Sequence, residues 1–91
     1  MVFVVISYDI SDDGIRKKVA NILLDYGVRV QYSVFECLVD AKTLDKIIVM
    51  LSPFTEGSDS IRFYQICEAC LKKMVLLGSG EVTEEVLFHL V

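Results

Sequence analysis

Along residues 28–39, VRVQYSVFECLV, the hydrophobic alternation changes phase once. Val28, Val30, Tyr32 and Val34 fall on even positions, whereas Phe35, Cys37 and Val39 fall on odd ones. Successive side chains of a strand point to opposite faces of a sheet, so one slip demands a bulge, a sharp bend or a very tight hairpin between Tyr32 and Phe35. Two short strands broken near Ser33 fit the pattern. So does one long bulged strand, and periodicity does not separate the two.

The amino-terminal stretch, MVFVVISYD, supplies the strand around which the rest is organised. Val2 to Ile6 is a continuous apolar run rich in β-branched residues, the pattern of a strand covered on both faces. It ends in Tyr8, Asp9 and a turn. Side chains at the carboxyl ends of central strands sit where ligands bind, because the scaffold beneath them is rigid. Asp9 is therefore the first candidate for chemistry; the competing reading is that it only helps to cap the helix that follows.

Ser11, Asp12, Asp13 and Gly14 offer N-cap residues for that helix. Its apolar stripe runs through Ile15, Val19, Ile22, Leu23 and Tyr26, and Gly27 is expected to close it as a C-cap. Arg16, Lys17 and Lys18 occupy the first turns, where the helix dipole disfavours cations unless an anion lies nearby. They are either a plain solvated face or phosphate contacts beside Asp9.

Asp40 can cap a second helix with its stripe at Leu44, Ile47, Ile48 and Leu51, ended by Pro53. Residues 52–58 have turn composition and are expected to be mobile. Strands are expected at 60–66, 74–77 and 86–91, the last two joined by Gly78, Ser79 and Gly80. Strand, helix, strand, strand, helix, strand is the α+β, ferredoxin-like βαββαβ plan, with one or two extra carboxyl-terminal strands. Residues 1–78 are expected to form the domain. The segment 79–91 would satisfy its backbone groups most cheaply on the sheet edge of a second copy, giving a homodimer with exchanged carboxyl-terminal strands.

Composition points the same way. A chain of 91 residues makes one domain with a modest core, and 54% hydrophobic residues leave apolar surface for a partner copy. No apolar run has the length of a membrane span, and a basic, cleavable leader is lacking, so a cytoplasmic setting without a membrane partner is expected. A net charge of -4 disfavours general nucleic-acid binding. Any such site must be local, or helped by a metal. The acids Glu81, Glu84 and Glu85 lie near the carboxyl end, while Arg16, Lys17, Lys18 and Arg29 lie in the first third.

Three cysteines, an odd number, are expected to be reduced thiols. Cys67 and Cys70 form one CxxC pair, in CEAC, but Cys37 and His89 supply no matching second pair for structural zinc. A redox pair would want the start of a helix behind a central strand, and the helix here would be very short, so the pair is expected to fill space beside a strand end. His89 has no Ser and Asp in triad order, and no glycine-rich phosphate loop is present. The remaining inventory is Asp9, with Asp12 and Asp13 in the following turn. One aspartate holds magnesium only loosely, since that ion completes its shell with further oxygens.

The segments VVISYDISDDGIRKKVANILLDYGVRVQYSVFEC, SIRFYQICEAC and MVLLGSG together resemble the family of CRISPR-associated protein two, from residue 1 to about residue 78. The resemblance implies a ferredoxin-like homodimer acting in spacer acquisition. It implies that Asp9 is the catalytic residue and metal ligand, sharing Mg2+, with Mn2+ as a substitute, with its mate across the dyad. Arg16 and Arg29 become candidate nucleic-acid contacts by position, joined by the basic neighbours Lys17 and Lys18. Tyr8, Ser33 and Phe35 are placed near the dimer cleft. The implied activity is endonucleolytic cleavage of single-stranded RNA or double-stranded DNA. The alternative is a DNA-binding adaptor that bridges dimers of the CRISPR integrase, CRISPR-associated protein one. Lys18 stands where some relatives carry arginine, which lessens bidentate phosphate binding there.

Overall fold

The computed structural model describes residues 1–78. Their elements are β1 (Val2–Asp9), α1 (Asp13–Leu24), β2 (Gly27–Gln31), β3 (Val34–Val39), α2 (Ala41–Leu51), a 3-10 turn (Ser52–Phe54), β4 (Ser60–Ile66) and α3 (Glu68–Leu71). The four strands make one sheet in the order β2-β3-β1-β4, every neighbouring pair antiparallel. β1 and β2 run the same way with β3 between them, so the expected ferredoxin-like plan is the one observed.

Alternation along β1 sorts the sheet into two faces. Val4, Ile6 and Tyr8 are buried with Val19, Ala20 and Leu23 of α1 and Leu44, Ile47 and Leu51 of α2. Phe35, Cys37 and Val39 of β3 complete this core, as their odd numbering requires. On the opposite face only Phe3 is fully covered, by Leu71, with Val5, Leu38 and Ile66 around them. β1 is thus covered on both faces at its start and on one face at its Asp9 end.

Two aspartates start the helices. Asp12 Oδ2 accepts from the Ile15 amide at 2.9 Å, and Asp40 Oδ1 from the Thr43 amide at 2.7 Å, each satisfying a donor that the first turn leaves open. Asp9 caps nothing in α1, which removes the alternative role for it. The hydrogen bond from Thr43 also lowers the pKa of Asp40.

Gly27 is not the C-cap of α1. The helix ends at Leu24 with Asp25 as its cap in right-handed helical conformation, and Gly27 opens β2. What requires glycine is proximity: a Cβ there would lie 2.3 Å from the Glu36 carbonyl oxygen and 2.5 Å from Cys37 Sγ. A close backbone approach and a helix stop select the same residue type, so sequence alone merges them.

Both devices read from the phase slip are present. A two-residue link, Tyr32 and Ser33, joins β2 to β3, and the register shifts by one between Arg29, opposite Phe35, and Gln31, opposite Val34. The segment 52–58 is more anchored than its composition suggests. Ser52 Oγ donates to the Ile48 carbonyl at 2.8 Å, Thr55 Oγ1 to Ser52 at 3.0 Å, and Phe54 packs on the core.

The strand expected at 74–77 does not form. Those residues are irregular, with Val75 and Leu77 exposed, and pair with neither edge of the sheet. An apolar run becomes a strand only where a neighbour accepts its backbone bonds. The strand expected at 86–91 and the exchange of 79–91 lie outside the described residues. No described helix is long and apolar enough to cross a membrane.

Candidate functional site

Asp9 is the last residue of β1, opposite Ser60 at the start of β4, and its side chain is exposed. Being odd-numbered in β1, it belongs with Phe3, Val5 and Ser7 to the face away from α1 and α2. The register brings Arg62 of β4, opposite Ser7, to the same corner. The Arg62 guanidinium donates from Nη1 to the Tyr64 hydroxyl at 3.4 Å. That hydrogen bond, with a smaller contribution from the Asp9 charge, raises the Arg62 pKa further above its usual value. Sequence reasoning missed Arg62. Its signal was the alternation Ile61, Phe63 against Arg62, Tyr64, but only the pairing with β1 says which acid it meets.

The loop that leaves Asp9 is fixed from two sides. Ser11 donates from its amide and its hydroxyl to Asp59 Oδ1, at 3.1 and 3.2 Å. Ser33, at the hairpin tip, accepts the Tyr8 amide at 3.1 Å through its carbonyl. Ser33 therefore touches the end of β1 through its backbone.

Tyr8 and Phe35 face the helices. Tyr8 is buried and donates its hydroxyl to the Tyr32 carbonyl at 3.3 Å, and its ring stacks on Phe35 with centroids 6.3 Å apart. The Arg29 guanidinium carbon lies 5.3 Å above the Phe35 ring, a cation-π contact. Their side chains point away from Asp9. Only their backbone adjoins its face of the sheet.

Above this stack, on the helix side, is an open concavity of about 460 Å3 bounded by Tyr8, Arg16, Lys17, Arg29 and Tyr32, with Asp13 at its edge. Three of the four predicted basic residues meet there. Lys18 is exposed but outside it. Arg16 is ion-paired with Asp13 three residues earlier, so part of its charge is already met. A phosphate entering the concavity competes with a carboxylate for Arg16, but finds Arg29 held by its aromatic support.

Among the described residues no three His, Cys, Asp or Glu side chains cluster as a metal site. The Asp9 carboxylate offers hard oxygen donors, the type that Mg2+ takes, but one carboxylate leaves most of an octahedral shell to other ligands. The donor chemistry fits the ion, and the donor number is a fraction of a site.

The family model described as CRISPR associated protein Cas2 matches residues 1–74. A relative from Chloroflexus aurantiacus, named CRISPR-associated endoribonuclease Cas2 3, is 41% identical over 90 residues, covering 98% of this chain and 97% of the relative. The crystal structure of a hypothetical protein from Thermus thermophilus superposes with a TM-score of 0.78 at 36% identity, over 91% of this chain and 98% of the other. A chain in a structure titled partial Cas6-RT-Cas1--Cas2 complex matches with a TM-score of 0.66 at 30% identity, over 85% of this chain and 91% of that one. By family model, sequence and fold, this chain is a member of the CRISPR associated protein Cas2 family.

Proposed function

We propose that this chain is a magnesium-dependent endonuclease of CRISPR spacer acquisition, acting in the cytoplasm as a homodimer in which the two Asp9 carboxylates share one ion. The observation that carries the reading is the position of Asp9. It is an exposed carboxylate at the end of the central strand, on the sheet face that is open at that end, with no acidic cluster of its own among the described residues. A second copy laid against that face would supply a second carboxylate and would cover Val28 and Tyr64, both about half exposed. The relative's name, endoribonuclease, supports phosphodiester hydrolysis.

When bound, Mg2+ or Mn2+ would polarise the phosphodiester and lower the pKa of the attacking water. The chain's own residues do the rest. Asp9 binds and orients, and Arg62 places a permanent positive charge beside it to meet a phosphate oxygen. The bonds from Ser11 to Asp59 and from Tyr8 to Ser33 hold the strand tip so that the two carboxylates converge without reorganising. Asp9→Asn is expected to abolish magnesium-dependent cleavage of both single-stranded RNA and duplex DNA at unchanged dimer stability. Retained cleavage by the purified variant would refute the assignment.

A second reading has its own observation. The concavity gathers Arg16, Lys17 and Arg29 on the face opposite Asp9, the arrangement for gripping a duplex while bridging Cas1 subunits. The matched chain in the Cas1-containing complex supports that partner. In this adaptor role Asp9→Asn leaves spacer acquisition intact, whereas Arg29→Glu with Lys17→Glu removes it.

A further inference from the structure

We propose that Cys67 and Cys70 form a reversible dithiol-disulfide pair that exchanges with low-molecular-weight disulfides. The sequence suggested two small residues filling space, and the structure places them otherwise. Both are exposed, and they sit on the turn where β4 becomes α3. Cys67 is the N-cap of α3, in extended conformation, and Cys70 follows three residues on across the same single turn. The same turn is closed by the Leu71 amide donating to the Cys67 carbonyl at 3.0 Å.

A disulfide asks only a small closure of this turn. Residues three apart on a helical turn hold their Cβ atoms roughly 5–6 Å apart. A disulfide needs about 4 Å, a shift that one short terminal turn can make. The interaction with Cys70 lowers the Cys67 pKa and raises that of Cys70, a direction that favours Cys67 as the thiol that attacks first. Cys37 makes the contrast: buried in the core, its thiol is pushed up to about 11 by desolvation, with Glu36 adding to it, and no reagent reaches it.

The chemistry balances with a disulfide RSSR as oxidant. The Cys67 thiolate attacks one sulfur of RSSR, forming Cys67–S–S–R and releasing RS−. Cys70 gives up its proton and attacks Cys67 Sγ, forming the Cys67–Cys70 bond and releasing the second RS−. Two thiols are oxidised, RSSR is reduced to two RSH, and a reducing dithiol reverses the sequence. Leu71, which covers Phe3, lies next in the chain, so the bond would pin the turn that seats it.

The test uses the full-length protein equilibrated in mixtures of oxidised and reduced glutathione, then alkylated and mapped by peptide mass. The expected result is a peptide containing Cys67 and Cys70 that loses two hydrogens as the oxidised fraction rises, with Cys37 unmodified. Cys70→Ser should trap one glutathione on Cys67, and Cys67→Ser one on Cys70, neither going on to a disulfide within the chain. Three outcomes would overturn the proposal: no loss of hydrogens from the peptide containing Cys67 and Cys70, a disulfide formed between chains instead of within one, or stoichiometric zinc bound by the purified protein.

Discussion

At the scale of single residues, the charge beside Asp9 depends on a neighbour three strands further along the sequence. Arg62 is exposed and its role in the fold is slight, since its one hydrogen bond, to Tyr64, is at the surface. Removing its charge should therefore leave stability nearly unchanged and weaken binding of nucleic acid. Arg62→Gln is expected to lower duplex affinity and to make the dependence of log K on log salt shallower by about 0.9, the value of one phosphate contact. Titrations at several salt concentrations measure this, and an unchanged slope would take Arg62 out of the site. Asp9 was legible in the sequence because a strand-ending acid announces itself locally. Arg62 was not, because its meaning depends on the register of β4 against β1, a long-range fact that no local pattern carries. Arg16 was legible as a cation but not as one half of an ion pair with Asp13.

At the scale of elements, the hairpin of β2 and β3 rests on one tight approach. Gly27→Ala would drive a Cβ into the Glu36 carbonyl, a backbone atom that cannot rotate aside. The expected cost is about 1–3 kcal/mol, as for other overpacked sites, read as a lower urea midpoint. Adding Cys37→Ala should not rescue it, because the sulfur is the softer of the two obstacles. A full rescue would show that the sulfur, not the backbone, sets the limit.

Cys37 also gives β3 a pH signature. Its pKa rises from 9.0 to about 11 on folding, so the folded state keeps a proton that the unfolded chain gives up. The unfolded state then binds fewer protons, and this contribution to stability, complete below pH 9, is lost as pH rises through about 11. Subtracting the profile of Cys37→Ala from that of the unaltered protein isolates the effect from the tyrosines and lysines. A flat difference between pH 9 and 11 would mean that the thiol is not desolvated. α1, α2, β1 and β4 were legible because their periodicities are strong and the helix caps explicit, whereas β2 and β3 were legible only as a choice between a hairpin and one bulged strand, and the single turn of α3 was not read. The residues at 74–77 misled because they have strand composition without a strand partner.

At the scale of the whole molecule, the proposals about Asp9 and about the dimer are thermodynamically one statement. If an ion is held by one carboxylate from each copy, it binds the dimer better than the monomer, and by linkage it must tighten dimerisation by the same factor. Without the ion, two facing carboxylates repel each other and oppose association. Sedimentation of the unaltered protein is therefore expected to show a dimer dissociation constant at least about fivefold smaller in Mg2+ than in chelator, the low end of ordinary coupling between sites. Asp9→Asn should dimerise well in chelator, since the repulsion is gone, and should not respond to Mg2+. Deleting residues 79–91 tests the other contribution. If that segment adds to the partner's sheet edge, its loss weakens the dimer with and without the ion but leaves the Mg2+ response in place, because the proposed ion lies at Asp9. A magnesium response that survives Asp9→Asn would place the ion elsewhere, and one absent from both proteins would leave each Asp9 facing solvent alone.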